Sequence, residues 1–239
     1  VKETIKKLLK LSPVGLTQNH RYDLQTKKII HRLSPNSNCI DVGCFKGEIL
    51  DHMLKAAPRG QHFALEPIPG LFAALERKYA DQKNCTFLNY AASDTASSTS
   101  FNYVISNPSY SGLKKRDYDK PNEQDQSIQV KTERLDALIP EGLPIHLIKI
   151  DVEGAELLVL KGAERIIRTY RPIVIFEHGL GASEHYNTGP DQIFAYFAEK
   201  DMQVNNLGRY LKKKPSLPQE EFQRQYEERK EFCFVAFGK

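Results

Sequence analysis

Six titratable residues, Asp41, Glu66, Asp151, Glu153, Glu177 and His178, stand at or just after the ends of short apolar runs. In a parallel sheet the carboxyl ends of the strands share one rim, and ligands bind outside it. A carboxylate on that rim can accept from an ammonium group or from the hydroxyls of a ribose. A histidine there can take a proton from a hydroxyl, because its pKa lies near neutrality. The spacing is most specific around the first acid, in Cys39-Ile40-Asp41-Val42-Gly43-Cys44-Phe45-Lys46-Gly47-Glu48. This reads as a buried strand, an acid, a glycine turn and a helix start. Asp41 is expected to accept from an ammonium group, directly or through water. Gly43 and Gly47 are expected to let the backbone approach a ligand that a Cβ would push away. The helix from Glu48 offers free backbone N–H groups. Phe45 stands where a G-x-G-x-x-G fingerprint has its second glycine, which argues against NAD or FAD.

Glu66 follows the glycine turn by about twenty residues and ends the second apolar run, the place from which a carboxylate reaches a ribose. Pro67 beside it is counted with the cofactor residues. Ala92 and Ser93, with Asp94, end the third run, where an adenine edge would lie. Asp151 is expected to help hold a cofactor's charged end. Glu153 or His178 is expected to remove a proton from a substrate hydroxyl. A purely structural reading stands beside each role: Glu153 or Glu156 as the cap of a helix N-terminus, His178 as partner of a buried backbone group.

The elements that must position these groups follow from periodicity. Strands are expected at Cys39–Val42, His62–Glu66, Cys85–Tyr90, His146–Asp151, Ile173–Phe176, Met202–Leu211 and Phe232–Phe237. Helices are expected over residues 1–11, 22–33, from Glu48, after Pro67–Pro69, over 153–169 and over 190–200. Such alternation implies an α/β fold: a doubly wound, mostly parallel seven-stranded sheet with helices on both faces and an antiparallel last strand. Residues 1–35 are expected to form a helical cap and 36–239 the main domain. Within it, residues 99–130 form a hairpin or flap whose mobile loop faces the substrate. Lys212–Glu231 reads as a long connection with a helical part. Lys6, Lys7 and Lys10 read as a solvated helix face rather than a membrane contact.

At 239 residues, 27% charged and 40% hydrophobic, the chain can bury a full core. Its net charge of +4 makes no case for nucleic acid. No apolar run approaches the roughly 18 residues of a membrane span, and no signal peptide is evident. The chain opens on Val1 rather than Met, which reads as a processed or trimmed start. Cys39, Cys44, Cys85 and Cys233 show no C-x-x-C pairing, the pattern of a reduced, cytoplasmic protein without a zinc site.

Several stretches resemble the FkbM family of methyltransferases: residues 39–48, Leu65-Glu66-Pro67-Ile68-Pro69-Gly70-Leu71-Phe72, Leu135-Asp136-Ala137-Leu138, Leu147-Ile148-Lys149-Ile150-Asp151-Val152-Glu153-Gly154-Ala155-Glu156, and Leu160-Lys161-Gly162-Ala163. The resemblance spans about residues 34–177. It implies a class I methyltransferase fold, S-adenosylmethionine as donor, and O-methylation of a sugar, glycan or other small hydroxylated metabolite. It places Asp41, Gly43 and Gly47 on the methionine part and Glu66 on the ribose. Three rival readings stand beside it. Ser106-Asn107-Pro108-Ser109-Tyr110 resembles the N-P-P-Y loop of amino-group methyltransferases, although Ser109 replaces the second proline. Asp151, Glu153, Glu177 and His178 could ligate magnesium or manganese, although a required metal is not expected. Last, the fold could serve as a non-catalytic binding module.

Overall fold

Apolar runs of four or five residues are too short for helices and long enough for buried strands. The computed structural model describes residues 15–118 and 122–239. Its first half runs α1 (Gln18–Ile30), β1 (Cys39–Val42), α2 (Glu48–Ala56), β2 (His62–Leu65), α3 (Pro69–Lys78), β3 (Cys85–Leu88), β4 (Ala91–Ala92), β5 (Ser97–Val104), β6 (Asp125–Glu133) and α4 (Leu135–Leu138). Its second half runs β7 (Leu147–Ile150), α5 (Glu156–Gly162), α6 (Glu164–Tyr170), β8 (Ile173–Glu177), α7 (Pro190–Ala198), β9 (Met202–Asn206), α8 (Leu207–Leu211), α9 (Gln219–Glu227) and β10 (Cys233–Gly238).

Seven strands form the main sheet in the order β3-β2-β1-β7-β8-β10-β9. The pairs along β3 to β8 are parallel, and β10 runs antiparallel to both neighbours. The chain steps outward from β1 to β3, then returns to lay β7 on the other side of β1. That reversal is a topological switch point, where a crevice opens at the carboxyl ends of the strands. Alternation along the strands divides the core. Ile40, Val42, Ile148, Ile150 and Phe176 pack on one face with Leu160, Ile167, Phe197 and Phe222 of the later helices. Cys39, Leu147 and Ile175 pack on the other with Ile29 and Ile30 of α1, Met53 of α2 and Leu207 of α8. Burying each of these large side chains contributes about 1.5–3 kcal/mol relative to exposure. By the same period Asp41 and Lys149, register partners on β1 and β7, belong to the second face.

A second, three-stranded sheet has the order β4-β6-β5. Its long antiparallel pair β5–β6 is a hairpin over the segment in which the flap is expected, and it packs through Phe101 and Val130 on Ile68 and Ala91. Residues 119–121 of its connecting loop and the basic segment expected to be helical over 1–11 lie outside the described residues.

Several boundaries differ from the sequence expectation. Helix α1 begins at Gln18 because the Thr17 hydroxyl accepts from the His20 N–H. The single helix expected over 153–169 is two, divided at Ala163. The Asp136 carboxylate accepts from the Arg165 and Ile166 N–H groups and so caps the second, α6. The strand expected through Leu211 stops at Asn206, whose side chain accepts from Arg209 N–H and starts α8. The third strand ends at Leu88, and Ala91–Ala92 joins the second sheet.

Candidate active site

The turn after β1 is tight. Gly43 and Cys44 donate their N–H groups to Leu65 O, and Gly47 N–H returns to Cys44 O. Gly43 and Gly47 take φ of +76° and +78°, a region open to glycine. The protein's own packing already requires glycine at both positions. A Cβ on Gly43 would lie 2.0 Å from Asp151 O, and one on Gly47 would lie 2.3 Å from Tyr79 Oη. Phe45, at φ +53°, turns its N–H onto Glu66 Oε2 at 2.9 Å, while Ile68 N–H reaches Oε1 at 2.9 Å. The two backbone bonds fix the Glu66 carboxyl at the end of β2. Burial still pushes its pKa up to about 7.

Above this rim lies a cleft of about 820 Å³, within the range of small-molecule sites. Asp41 lies at its floor, wholly buried, with the Cys44 thiol and the Leu50 N–H beside its carboxylate. Burial raises its pKa, and the positive Lys149 offsets part of the rise. Lys149 Nζ bonds Asp151 at 2.8 Å. Burial opposes the lysine's charge, but Asp151 and Asp41 outweigh it and hold its pKa above the usual value.

Glu153 has a left-handed φ of +57° and pairs with Arg116, which reaches in from the loop between β5 and β6. Burial, with Asp151 nearby, lifts Glu153 to about 8, although Arg116 pulls it down. Glu156 closes the turn ahead of α5 by accepting from Gly154 N–H at 3.1 Å, and neither it nor Glu153 caps the helix, whose N-cap Ala155 has no side-chain cap. Glu177 is pushed well up by burial and by Asp151 and Glu153. His178 stacks on Tyr226 of α9, ring centres 4.7 Å apart, and on Phe222. Both ring nitrogens are buried without a hydrogen-bond partner, so the imidazole does not satisfy a buried backbone group. Burial lowers its pKa to about 4.

The cleft wall therefore gathers Asp41, Gly43, Glu66, Pro67, Ala92 and Asp151, together with Glu153, Glu177 and His178. Gly47 and Ser93 are not on it. Gly47 faces Tyr79, and Ser93 is turned toward Gly162 and Glu133. Sequence reasoning passed over Lys149, Arg116 and Tyr226. Lys149 alone carried a signal, a charge between two isoleucines of a buried strand. Asn107 and Tyr110 do line the cleft. However, their loop lies between the arms of the flap rather than at the end of a parallel strand, and the Asn107 side-chain Oδ1 accepts from the Ser109 hydroxyl. Among the described residues no group of three or more His, Cys, Asp or Glu side chains is arranged to hold a metal ion.

The family model described as the methyltransferase FkbM domain matches residues 41–205, more than half of the chain. The chain belongs to the FkbM methyltransferase family. Methyltransferase FkbM from Methylobacillus flagellatus KT shares the fold, with a TM-score of 0.55 at 18% identity. The match covers 86% of this chain and 44% of that one, so this chain spans under half of that relative's length. Fibrillarin from Aeropyrum pernix, solved with natively bound S-adenosyl-L-methionine, gives 0.46 at 12% identity over 90% and 74% of the two chains. That likeness carries no argument about this chain. No curated protein matches the sequence.

The FkbM domain is a methyltransferase domain, and the resemblance implies S-adenosylmethionine as its methyl donor. The chain's own residues fit that molecule. The wholly buried Asp41 carboxylate at the cleft floor suits a cationic group. Each Glu66 oxygen, already given one N–H, keeps a lone pair for a hydroxyl. Acids outnumber the cations Lys27, Arg116, Lys149 and Arg229 on this wall, which suits a ligand of net positive charge.

Proposed function

We propose that this FkbM domain methylates a hydroxyl group of a sugar, glycan or other small hydroxylated metabolite. Asp41 and Asp151 take the cofactor's amino end, with Gly43 in the turn beside them. Glu66 takes the ribose hydroxyls, and Pro67 and Ala92 flank the adenine. Gly47 and Ser93 act behind the wall by holding the turn and the strand end. When bound, the cofactor supplies a methyl group already activated by its sulfonium. The protein must then orient the acceptor oxygen, worth up to roughly 7–11 kcal/mol in favourable cases, and take its proton.

The observation that carries the reading is His178: a neutral imidazole lining the cleft, its two ring nitrogens buried and without a hydrogen-bond partner. A general base needs a free lone pair, and His178 keeps one at any pH above about 4. On the flap side Arg116 pairs with Glu153 and lies over the Tyr110 ring, so polar and aromatic groups face the cleft together. The test measures S-adenosylhomocysteine release with glycans, hydroxylated metabolites and amines as acceptors. Turnover on a hydroxyl, cut by about 10²–10⁴-fold in His178→Asn, supports the proposal. Turnover confined to amines, and lost on changing Asn107, would favour N-methylation instead. Cofactor binding without turnover on any acceptor would leave the binding-module reading standing.

A further inference from the structure

Away from the cleft, α1 ends beside α2, and two imidazoles meet there. His31 Nε2 and His52 Nδ1 lie 3.4 Å apart, with ring centres 5.4 Å apart and planes inclined at 60°. That separation is long for a nitrogen–nitrogen hydrogen bond, whose optimum lies near 3 Å. It matches another geometry. Two imidazole nitrogens bound to one ion at about 2.0–2.1 Å, with a tetrahedral angle between them, lie about 3.3–3.4 Å apart.

The geometry points to a two-histidine site for a divalent transition metal of the zinc or nickel class, held between His31 and His52 at the junction of α1 and α2. Imidazole suits these ions and not magnesium or calcium, which prefer oxygen. The site is open to solvent: His31 is exposed and His52 half-buried. No third ligating side chain joins them among the described residues, so water fills the other positions. Metal binding needs neutral imidazole. The groups facing His52 are Lys27 and His31 from α1, and Asp51 and Lys55 from α2. Burial, then Lys27 and His31, lower its pKa, while Asp51, itself tied to Lys78, opposes them.

The position gives the metal a consequence. Helix α1 carries Gln18, Asn19 and Asp23 to one side of the cleft, and α2 brings Glu48 and Ile49 to it from the glycine turn. An ion joining His31 to His52 staples these two walls together. The site does not depend on the proposed reaction.

The test is zinc titration by calorimetry on the intact chain, with magnesium as control. The expected result is one zinc per chain, no magnesium heat, and affinity weakened on the order of tenfold or more by either His31→Ala or His52→Ala. Zinc should also raise the thermal midpoint of the native chain, because a ligand of the folded state stabilises it, and the rise should vanish in the double variant. Should a variant fold poorly, paramagnetic nickel added to the native chain gives a second reading. It should broaden the ring signals of His31 and His52 before those of the other histidines. Absence of zinc heat, zinc binding unchanged in the double variant, or nickel broadening centred elsewhere overturns the site.

Discussion

At Gly47 a methyl group would collide with the Tyr79 phenol, which itself bonds Gly47 O at 2.9 Å and Asp51 at 2.6 Å. Gly47→Ala is therefore expected to cost on the order of 1–3 kcal/mol of stability. Cofactor affinity of the folded protein should stay within a few-fold of normal, read by denaturation and calorimetry respectively. A large affinity loss with intact stability would restore the ligand-contact explanation that the D-x-G-x-x-x-G spacing suggests. The spacing reveals that glycine is needed but not what crowds it, because Tyr79 is thirty-two residues away in the sequence. His178 and Glu153 make a sharper pair. A base works only when deprotonated, so activity rises with pH through its pKa. At saturating cofactor, the acid limb of kcat is expected near pH 4 if His178 is the base, and well above the ordinary carboxylate range if Glu153 is. The pH–rate profile with cofactor bound decides between them.

Elements were legible where their signal was local. Strand–helix alternation, the glycine turn and the acids at strand ends all follow from residues within a few positions of one another. Boundaries set by a distant or unrecognised cap were not. The break at Ala163 depends on Asp136 from another helix, and the end of β9 depends on Asn206 turning from strand residue to cap. Asn206→Ala is expected to cost about 0.5–2 kcal/mol, measured by urea denaturation; an unchanged midpoint would mean that the cap is idle. The flap shows the same limit at larger range. Arg116 matters because its loop docks on the segment after β8, through Asp117 N–H to Gly181 O and Lys114 N–H to Tyr186 Oη. No periodicity encodes that docking. Arg116→Ala should speed hydrogen exchange at Asp117 while exchange in β7 stays slow. Equal acceleration in both would mean that the ion pair supports the whole fold and not the flap.

On the scale of the whole molecule, the cleft is a reservoir of protons. Burial holds Glu66 and Glu156 at about 7 and Glu153 at about 8, and it raises Asp41 and Glu177 as well. In the unfolded chain these carboxyls titrate near 4.3 or below. Between their unfolded and folded values the folded protein holds more protons, so its stability falls as pH rises. His178, with His52 and His62, acts in the opposite sense, but only below the unfolded histidine value near 6.5. From pH 6.5 to 8 the carboxyls act alone, and the ligand-free protein should lose thermal stability across that window. A cationic cofactor reverses the balance. Its charge favours ionised acids around it, so binding must expel protons. Calorimetry of S-adenosylmethionine binding at pH 7, repeated in buffers of different ionisation enthalpy, should show net proton release. Asp41→Asn together with Glu66→Gln should reduce that release. Proton uptake, or a heat independent of buffer, would mean that the cofactor's charge does not lie against these acids.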